Sequence, residues 1–320
     1  MGSTLPIKKP LPSLSSLNKP PGLSRFIPQR LRRYLPIYAL ILPGYLLFLI
    51  WTLYPLLDAF VMSFTEWNPN PSGTSPFVGV DNYTRALHDP VFFQSFGNVT
   101  LYTIVTVAGQ IVFGLGVALL LNRKMAARGV FRALYYIPVI SSWVVVSLIF
   151  SYLFSSQGGL VNYIFGNVLH LISPDQNWLG DLHLALPTLM ILGIWKGVGW
   201  NMVAFLAALQ GIPTELYESA QTEGANAWAQ FRYITLPLLR PVITFVSVVL
   251  TIGGLGSFIQ IFIITGGGPL HTTETLLTYA YNNAFSTFDF GYAAALTYIF
   301  AAVVFVFALI QIGLSRRQAA

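Results

Sequence analysis

The chain has 320 residues, of which 55% are hydrophobic and only 9% charged, and its formal charge is +6. A soluble domain carries about 25% charged residues, so this composition excludes a typical cytosolic enzyme, a disordered chain and a nucleic-acid-binding domain. The chain has no cysteine, which removes disulfides, thiolate metal sites and thiol catalysis.

What remains is a polytopic membrane protein. Residues 1–34 form a cytoplasmic tail. Its first 22 residues, rich in Pro, Ser and Lys, are expected to be disordered. Leu23–Tyr34 mixes apolar residues with Arg25, Arg30, Arg32 and Arg33, as a basic anchor on an anionic inner leaflet does. A membrane helix needs about 20 apolar residues in a row. Six stretches qualify within 35–315: Leu35–Phe60, Asn98–Leu121, Ala133–Phe154, Leu184–Gln210, Pro241–Thr265 and Phe290–Leu314. The first has too long an apolar run for a cleaved leader and no small-residue cleavage site after it, so it reads as a retained helix. Residues 316–320 form a short cytoplasmic end.

Lys and Arg set the orientation. Fifteen of the 17 fall on one side of a six-span arrangement, among them Arg123, Lys124, Arg128, Arg132, Arg232, Arg240, Arg316 and Arg317. The opposite loops hold Arg85 alone, alongside most of the carboxylates. A missed or extra span would scramble this split. Both termini are therefore expected in the cytoplasm.

Lys196 lies near the middle of the fourth stretch, roughly 18 Å from either interface at helical rise. A lysine at that depth costs about 2.5–3.5 kcal/mol on insertion scales. It faces a transport cavity or it bonds backbone carbonyls between helices; the residues alone leave both open. Gly193 and Gly197 beside it form a small-xxx-small pair that lets helices approach closely. Gly253, Gly254 and Gly256 loosen the fifth stretch and leave space.

The cytoplasmic segment 211–240 is patterned. Pro213 and Thr214 look like a helix start, and Glu215 and Glu218 suit its first turns. Leu216, Ala220 and Glu223 share one face. Gly224 supplies a left-handed stop. Residues 225–233 can form a second short helix, with Pro237 and Pro241 marking the return into the membrane. The prediction is a rigid helix–turn–helix elbow. Outside, Gly266–Gly268 before Pro269 read as a flexible run at the outer mouth. His88, His170, His183 and His271 lie in outer loops without metal spacing, so no metal site is expected.

This segment resembles the EAA loop of permease subunits of binding-protein-dependent ABC importers. The pattern is Glu-Ala-Ala, three residues, Gly, nine residues, Ile, one residue, Leu-Pro. Glu218, Ala220, Gly224, Ile234, Leu236 and Pro237 match it, and Ser219 stands for the second Ala. Residues 205–213, 265–269 and 289–295, with Tyr54-Pro55, Phe77-Val78-Gly79 and Asn82-Tyr83, look like the carbohydrate branch, the maltose and glycerol-phosphate type. The likeness covers nearly the whole chain after residue 35.

The resemblance implies an all-α, polytopic fold: six transmembrane helices with a cytoplasmic coupling helix, a type I ABC importer permease. It implies that Leu216, Tyr217, Glu218, Ala220 and Gly224 shape or contact the docking knob for the ATPase. It places a sugar or polyol cavity at mid-membrane, matched here by Val139, Trp143, Gly193, Gly197, Trp200, Val249, Gly253 and Gly256, with Lys196 a further candidate. Trp143 and Trp200 are suited to stack on pyranose faces. The Gly positions stand where some relatives have polar residues, which puts direct hydrogen bonding from this subunit in doubt.

The chain has no phosphate-binding Gly-x-x-x-x-Gly-Lys-Ser/Thr loop. ATP and Mg are therefore expected on a separate ATPase, with no catalytic residue and no cofactor here. The partners implied are a sister permease, two ATP-binding subunits, an extracytoplasmic binding protein and the lipid bilayer of a bacterial inner membrane. The alternative is an ion-coupled secondary transporter, which often carries mid-membrane carboxylates; none sits at mid-span here.

Overall fold

A computed structural model describes residues 29–67, 73–123 and 125–319 of the chain. The tail, most of the basic segment before the first span, and Lys124 lie outside the described residues. The chain divides into two units, 1–58 and 59–320.

In the first unit, α1 (Gln29–Phe48) passes through a π-helical turn (Leu49–Leu53) into α2 (Tyr54–Met62), which continues past the unit boundary. Leu40, Trp51 and Tyr54 are among its many exposed apolar side chains. An apolar helix that buries little of itself is suited to lipid or to another membrane chain.

The second unit is built on α4 (Pro90–Asn122) and α8 (Ala185–Gln210), which pack along their length. Both run the same way. Tyr102, early in α4, clusters with Leu186, Leu189 and Met190, early in α8. Leu115, Ala118 and Leu121 cluster with Met202, Phe205, Leu206 and Leu209 at the other end. Parallel packing of the second and fourth spans is what six alternating crossings require. α11 (Leu236–Leu255) closes the core through Leu239 and Val246. α14 (Phe290–Ala319) packs on α11 and on α13 (Leu276–Phe285). No residue of α13 was expected to be helical.

Among the described residues five helical stretches are long and apolar enough to cross a membrane: 37–62, 90–122, 185–210, 227–264 and 290–311. The third expected span, 133–154, is not one helix. α5 (Arg128–Ile140) and α6 (Trp143–Leu153) meet at a bend of 97°. Pro138 weakens the end of α5, because it has no N–H to give. Ser142 then restarts the chain by capping α6, accepting from the Val144 N–H at 3.3 Å. The bent pair still bridges both faces. With its amide oxygen turned toward them, Gln210 at the last turn of α8 accepts from Arg132 at 3.0 Å and Arg128 at 2.6 Å. At the far end, the Phe154 ring sits 5.7 Å from Trp178, in the outer segment that leads into α8. Counted as one span, the pair makes six.

At the end of the bundle away from Arg128 and Arg132, a polar node ties α4 to α13 and α14. Asp89 caps α4, and its carboxylate also accepts from Tyr279 of α13 at 2.5 Å and Tyr292 of α14 at 2.6 Å. Arg85, in α3 (Asp81–Ala86), lies 4.0 Å from the Tyr292 ring centre and donates to Asp289 at 2.6 Å. Burial alone would raise the Asp89 carboxyl; the phenols and the N–H groups of Val91 and Phe92 outweigh it and hold it below the ordinary range. Burial and the bond to Asp89 push Tyr279 up to about 12. The signs give a window. The Asp89 contribution is present above the unfolded value of about 3.9 and is lost as pH falls through its lower folded value. The Tyr279 contribution is present below about 10 and is lost as pH climbs toward its folded value. Asp89→Asn should therefore cost about 1–2 kcal/mol near neutrality, allowing for partial exposure. Thermal unfolding of the purified protein should show the gap narrowing as pH falls below about 4, where the unfolded carboxyl takes up its proton before the folded one does. A gap unchanged from pH 7 to pH 3 would count against the node.

Candidate functional site

A cavity of about 330 Å³ lies where α4, α8 and α11 meet the bend of α5 and α6. Each wall has a reason. On α4, Tyr102, Thr106 and Gln110 recur every four residues and so form one stripe aimed at α8. On α8, Gly193 and Gly197 lie under that stripe. A Cβ at Gly193 would fall 2.5 Å from the Tyr102 hydroxyl, and one at Gly197 would overlap the Gln110 amide. Without side chains at these two positions, Gln110 reaches the Gly193 carbonyl at 3.1 Å and accepts from Asn201 at 3.2 Å. Val249, Leu250, Gly253 and Gly254 of α11 face them, and Ser257 and Gln260 close the far side. Gln260, in α12 (Ile259–Ile264), donates to the Tyr102 hydroxyl at 3.2 Å. Val139 and Trp143 flank the bend, and Trp200 completes the wall.

Lys196 combines the two positions that its sequence reading set against each other. It lines the cavity, with only 5% of its surface exposed, and it bonds carbonyls between helices. Its Nζ donates to the Pro138 oxygen at 2.7 Å and the Ser141 oxygen at 2.8 Å. It also stands 4.7 Å from the Trp143 ring centre, close enough for a cation–π contact. Among the described residues no carboxylate lines the cavity, and Lys196 is its one ionisable cation.

Eight of the nine sequence-expected path positions thus line one space: Val139, Trp143, Gly193, Lys196, Gly197, Trp200, Val249 and Gly253. Gly256 does not, because it terminates α11 and lies over its own last turn. The sequence reading missed the polar donors and acceptors: Tyr102, Thr106, Gln110, Ser257 and Gln260. For Tyr102, Thr106 and Gln110 the signal was present in the i, i+4, i+8 recurrence of polar side chains in an apolar stretch. The glycines themselves offer no side-chain hydrogen bond, and the polar groups of this wall come from the facing stripe.

On the basic side, α9 (Thr214–Thr222) and α10 (Ala227–Gln230) form the elbow. Gly224 has φ +84°, and the two bonds of a Schellman stop are in place: Ala225 N–H to Ala220 O at 2.9 Å, Gly224 N–H to Gln221 O at 3.0 Å. Asn226 then caps α10, accepting from the Ala229 N–H at 2.8 Å. The expected second helix forms from Ala227 but does not end before the membrane. After Gln230 a π-helical turn (Phe231–Thr235) carries the chain straight into α11, so Pro237 and Pro241 sit inside a continuing helix. Leu216, Glu218 and Gly224 are exposed, and Ala220 is half-buried. Tyr217 is turned inward; its hydroxyl shares a hydrogen bond with Thr235 at 2.9 Å and fastens the elbow to the foot of the fifth span.

The outer loop is not a flexible run. Gln94 and Asn98 of α4 donate to the carbonyls of Leu270 and His271, and Asn98 also to that of Glu274. Buried Glu274 accepts from Asn282 and pairs with His271. Gly266 and Gly267 supply positive-φ corners rather than freedom. Among the described residues no cluster of metal-ligating side chains occurs.

Fold, cavity and elbow together define a multi-pass membrane permease with the type I importer architecture. The chain belongs to the family of binding-protein-dependent transport system inner membrane components, whose pattern matches residues 110–319. It is 35% identical over 281 residues to an arabinooligosaccharide transport system permease of Bacillus subtilis, covering 87% of this chain and 88% of that one. It is 33% identical over 294 residues to the lactose transport system permease of Rhizobium radiobacter, covering 90% and 97%. Among solved structures it resembles a chain of a bacterial ABC transporter that imports the acidic polysaccharide alginate. The TM-score is 0.78 at 26% identity, with 90% of this chain and 98% of that chain covered.

Proposed function

We propose that this chain is one of two sister permeases in an ATP-driven carbohydrate importer. The sister is a different chain, and both pair with two ATP-binding subunits. ATP and Mg bind those subunits and not this chain. An extracytoplasmic binding protein delivers a sugar or polyol to the outer face, and the cavity beside Lys196 lies on its path. Leu216, Glu218, Ala220 and Gly224 form the knob that meets the ATPase, with Tyr217 bracing it. The chain resides in a bacterial cytoplasmic membrane with both termini inside.

The observation that carries this reading is the elbow. A short helix ended by a left-handed glycine stands exposed on the basic side and is bonded through Tyr217 to the foot of α11. Such a knob can pass a push to the spans that wall the cavity. The relatives' names, arabinooligosaccharide and lactose transport, support the carbohydrate class. The test is uptake of labelled lactose and arabinotriose into proteoliposomes holding the assembled complex. Uptake should require ATP on the ATPase side and survive collapse of ion gradients. Uptake that persists without ATP and fails with the gradient would overturn the reading.

A further inference from the structure

The bend in the third span leaves carbonyls at the end of α5 with no helical N–H to meet them, inside a layer without water to do so. The end of a helix also carries partial negative charge. Lys196 answers both conditions. Its ammonium lies against that helix end, bonds two of its carbonyls, and rests beside the ring that opens the next half-helix, Trp143. The lysine belongs to α8, whose inner end runs through Gly211–Pro213 into the elbow helix α9. Where Lys196 reaches across, α5 and α8 touch backbone to backbone, since a Cβ at Gly199 would overlap the Tyr135 carbonyl.

We propose that Lys196 is a positioning residue: a latch that ties the bend of the third span, and with it Trp143, to the helix leading into the elbow. Its charge serves the broken helix rather than an acidic group on the solute. The inference rests on the importer reading for where the motion comes from, but the latch itself concerns this chain alone. Displacement of the elbow moves α8. Through Lys196 the same displacement re-aims the α5–α6 junction at the cavity wall. Two of the three ammonium N–H bonds are already committed to carbonyls, and no carboxylate among the described residues shares the site. A lysine kept to read acidic solutes would hold those donors free toward the cavity.

The chain has no native cysteine, so paired spin labels report the bend directly. Cysteines replace Val130 and Tyr152, both exposed and outside the cavity. The full-length chain is placed in lipid nanodiscs within the assembled complex, its other subunits made cysteine-free. The parent should give one narrow label distance. Straightening a bend of 97° between helices of this length would lengthen it by roughly 10 Å. Lys196→Met, which keeps the stem and removes every donor, should shift or broaden the distribution toward longer distances. Lys196→Arg, which can still donate to both carbonyls, should restore the narrow distance. An unchanged narrow distance in Lys196→Met would overturn the latch.

The second arm adds ATP and vanadate. The parent distance should change, and the Met variant, which should hydrolyse ATP in the absence of vanadate, should not show that change. A Met variant that follows the parent would overturn the latch. A parent that ignores the nucleotide would overturn the importer reading instead, and the nucleotide-free comparison would still decide the latch. Should the Met variant fail to assemble, Lys196→Gln, with one donor group, is read the same way and should fall between Met and Arg.

Discussion

Replacing Gly224 with valine should cut ATP-driven uptake by at least tenfold while the complex still inserts, assembles and hydrolyses ATP. The cause is conformational rather than steric. Nothing lies within 4 Å of where a Cβ at this position would sit. The backbone there has φ +84°, which costs an ordinary L-residue about 1–2 kcal/mol and a β-branched one more. Valine relieves that cost by leaving the left-handed region. The bonds from Ala225 to Ala220 and from Gly224 to Gln221 are then lost, and α9 leaves the foot of α11 in a different direction. Gly224→Asn is the control, because asparagine tolerates the left-handed conformation. It should keep most of the uptake. The checks are uptake in proteoliposomes, ATP hydrolysis by the same preparation, and recovery of partner subunits on purification. Normal uptake by the valine variant would remove the elbow from the mechanism.

The elbow was legible because its determinants are local. A helix start at Thr214 and a left-handed glycine ten residues on specify the turn within one stretch of sequence. The glycines of α8 were legible for a related reason: spacing of four on a helix places them on one face whatever packs there. The bend between α5 and α6 was not. Residues 133–154 are apolar enough to cross as one helix, and Pro138 alone is compatible with a mild kink. What makes a 97° break tolerable is a donor 55 or more residues away, Lys196, and no window of sequence contains both partners. The outer loop failed for the same reason. Three glycines before a proline look loose until Gln94 and Asn98, in another span, are seen to hold the loop's carbonyls.

The polar stripe of α4 belongs between these cases. Tyr102, Thr106 and Gln110 repeat at helical spacing, so the pattern was available. Each is also an ordinary tenant of an apolar helix, since threonine can bond its own preceding turn; Thr106 does so at 2.7 Å to the Tyr102 carbonyl. Only the bare face of α8 opposite, with no side chain at Gly193 or Gly197, turns the stripe into a cavity wall. The cavity wall is thus a product of two faces that are each commonplace alone.

Closeness of α5 and α8 leads to the second large effect. Gly199→Leu should prevent stable assembly, and even Gly199→Ala should lower it markedly. A Cβ there would overlap the Tyr135 carbonyl and come within 2.9 Å of the Val139 side chain. The obstacle is backbone, which cannot rotate aside as a side-chain tip can. Overpacking a filled site costs about 1–3 kcal/mol, and separating these helices also draws the α5 carbonyls away from Lys196, leaving a buried charge short of partners. Gly253→Ala is the matched contrast. Gly253 faces the same cavity, but its Cβ would meet nothing within 4 Å. That variant should assemble and melt like the parent, while its added methyl narrows the cavity and raises the solute concentration needed for half-maximal uptake. Thermal unfolding of the purified complexes separates the two. If both glycines tolerated alanine with unchanged melting, the close approach of α5 to α8 would be wrong, and the wall that Lys196 and Trp143 contribute to the cavity would have to be redrawn.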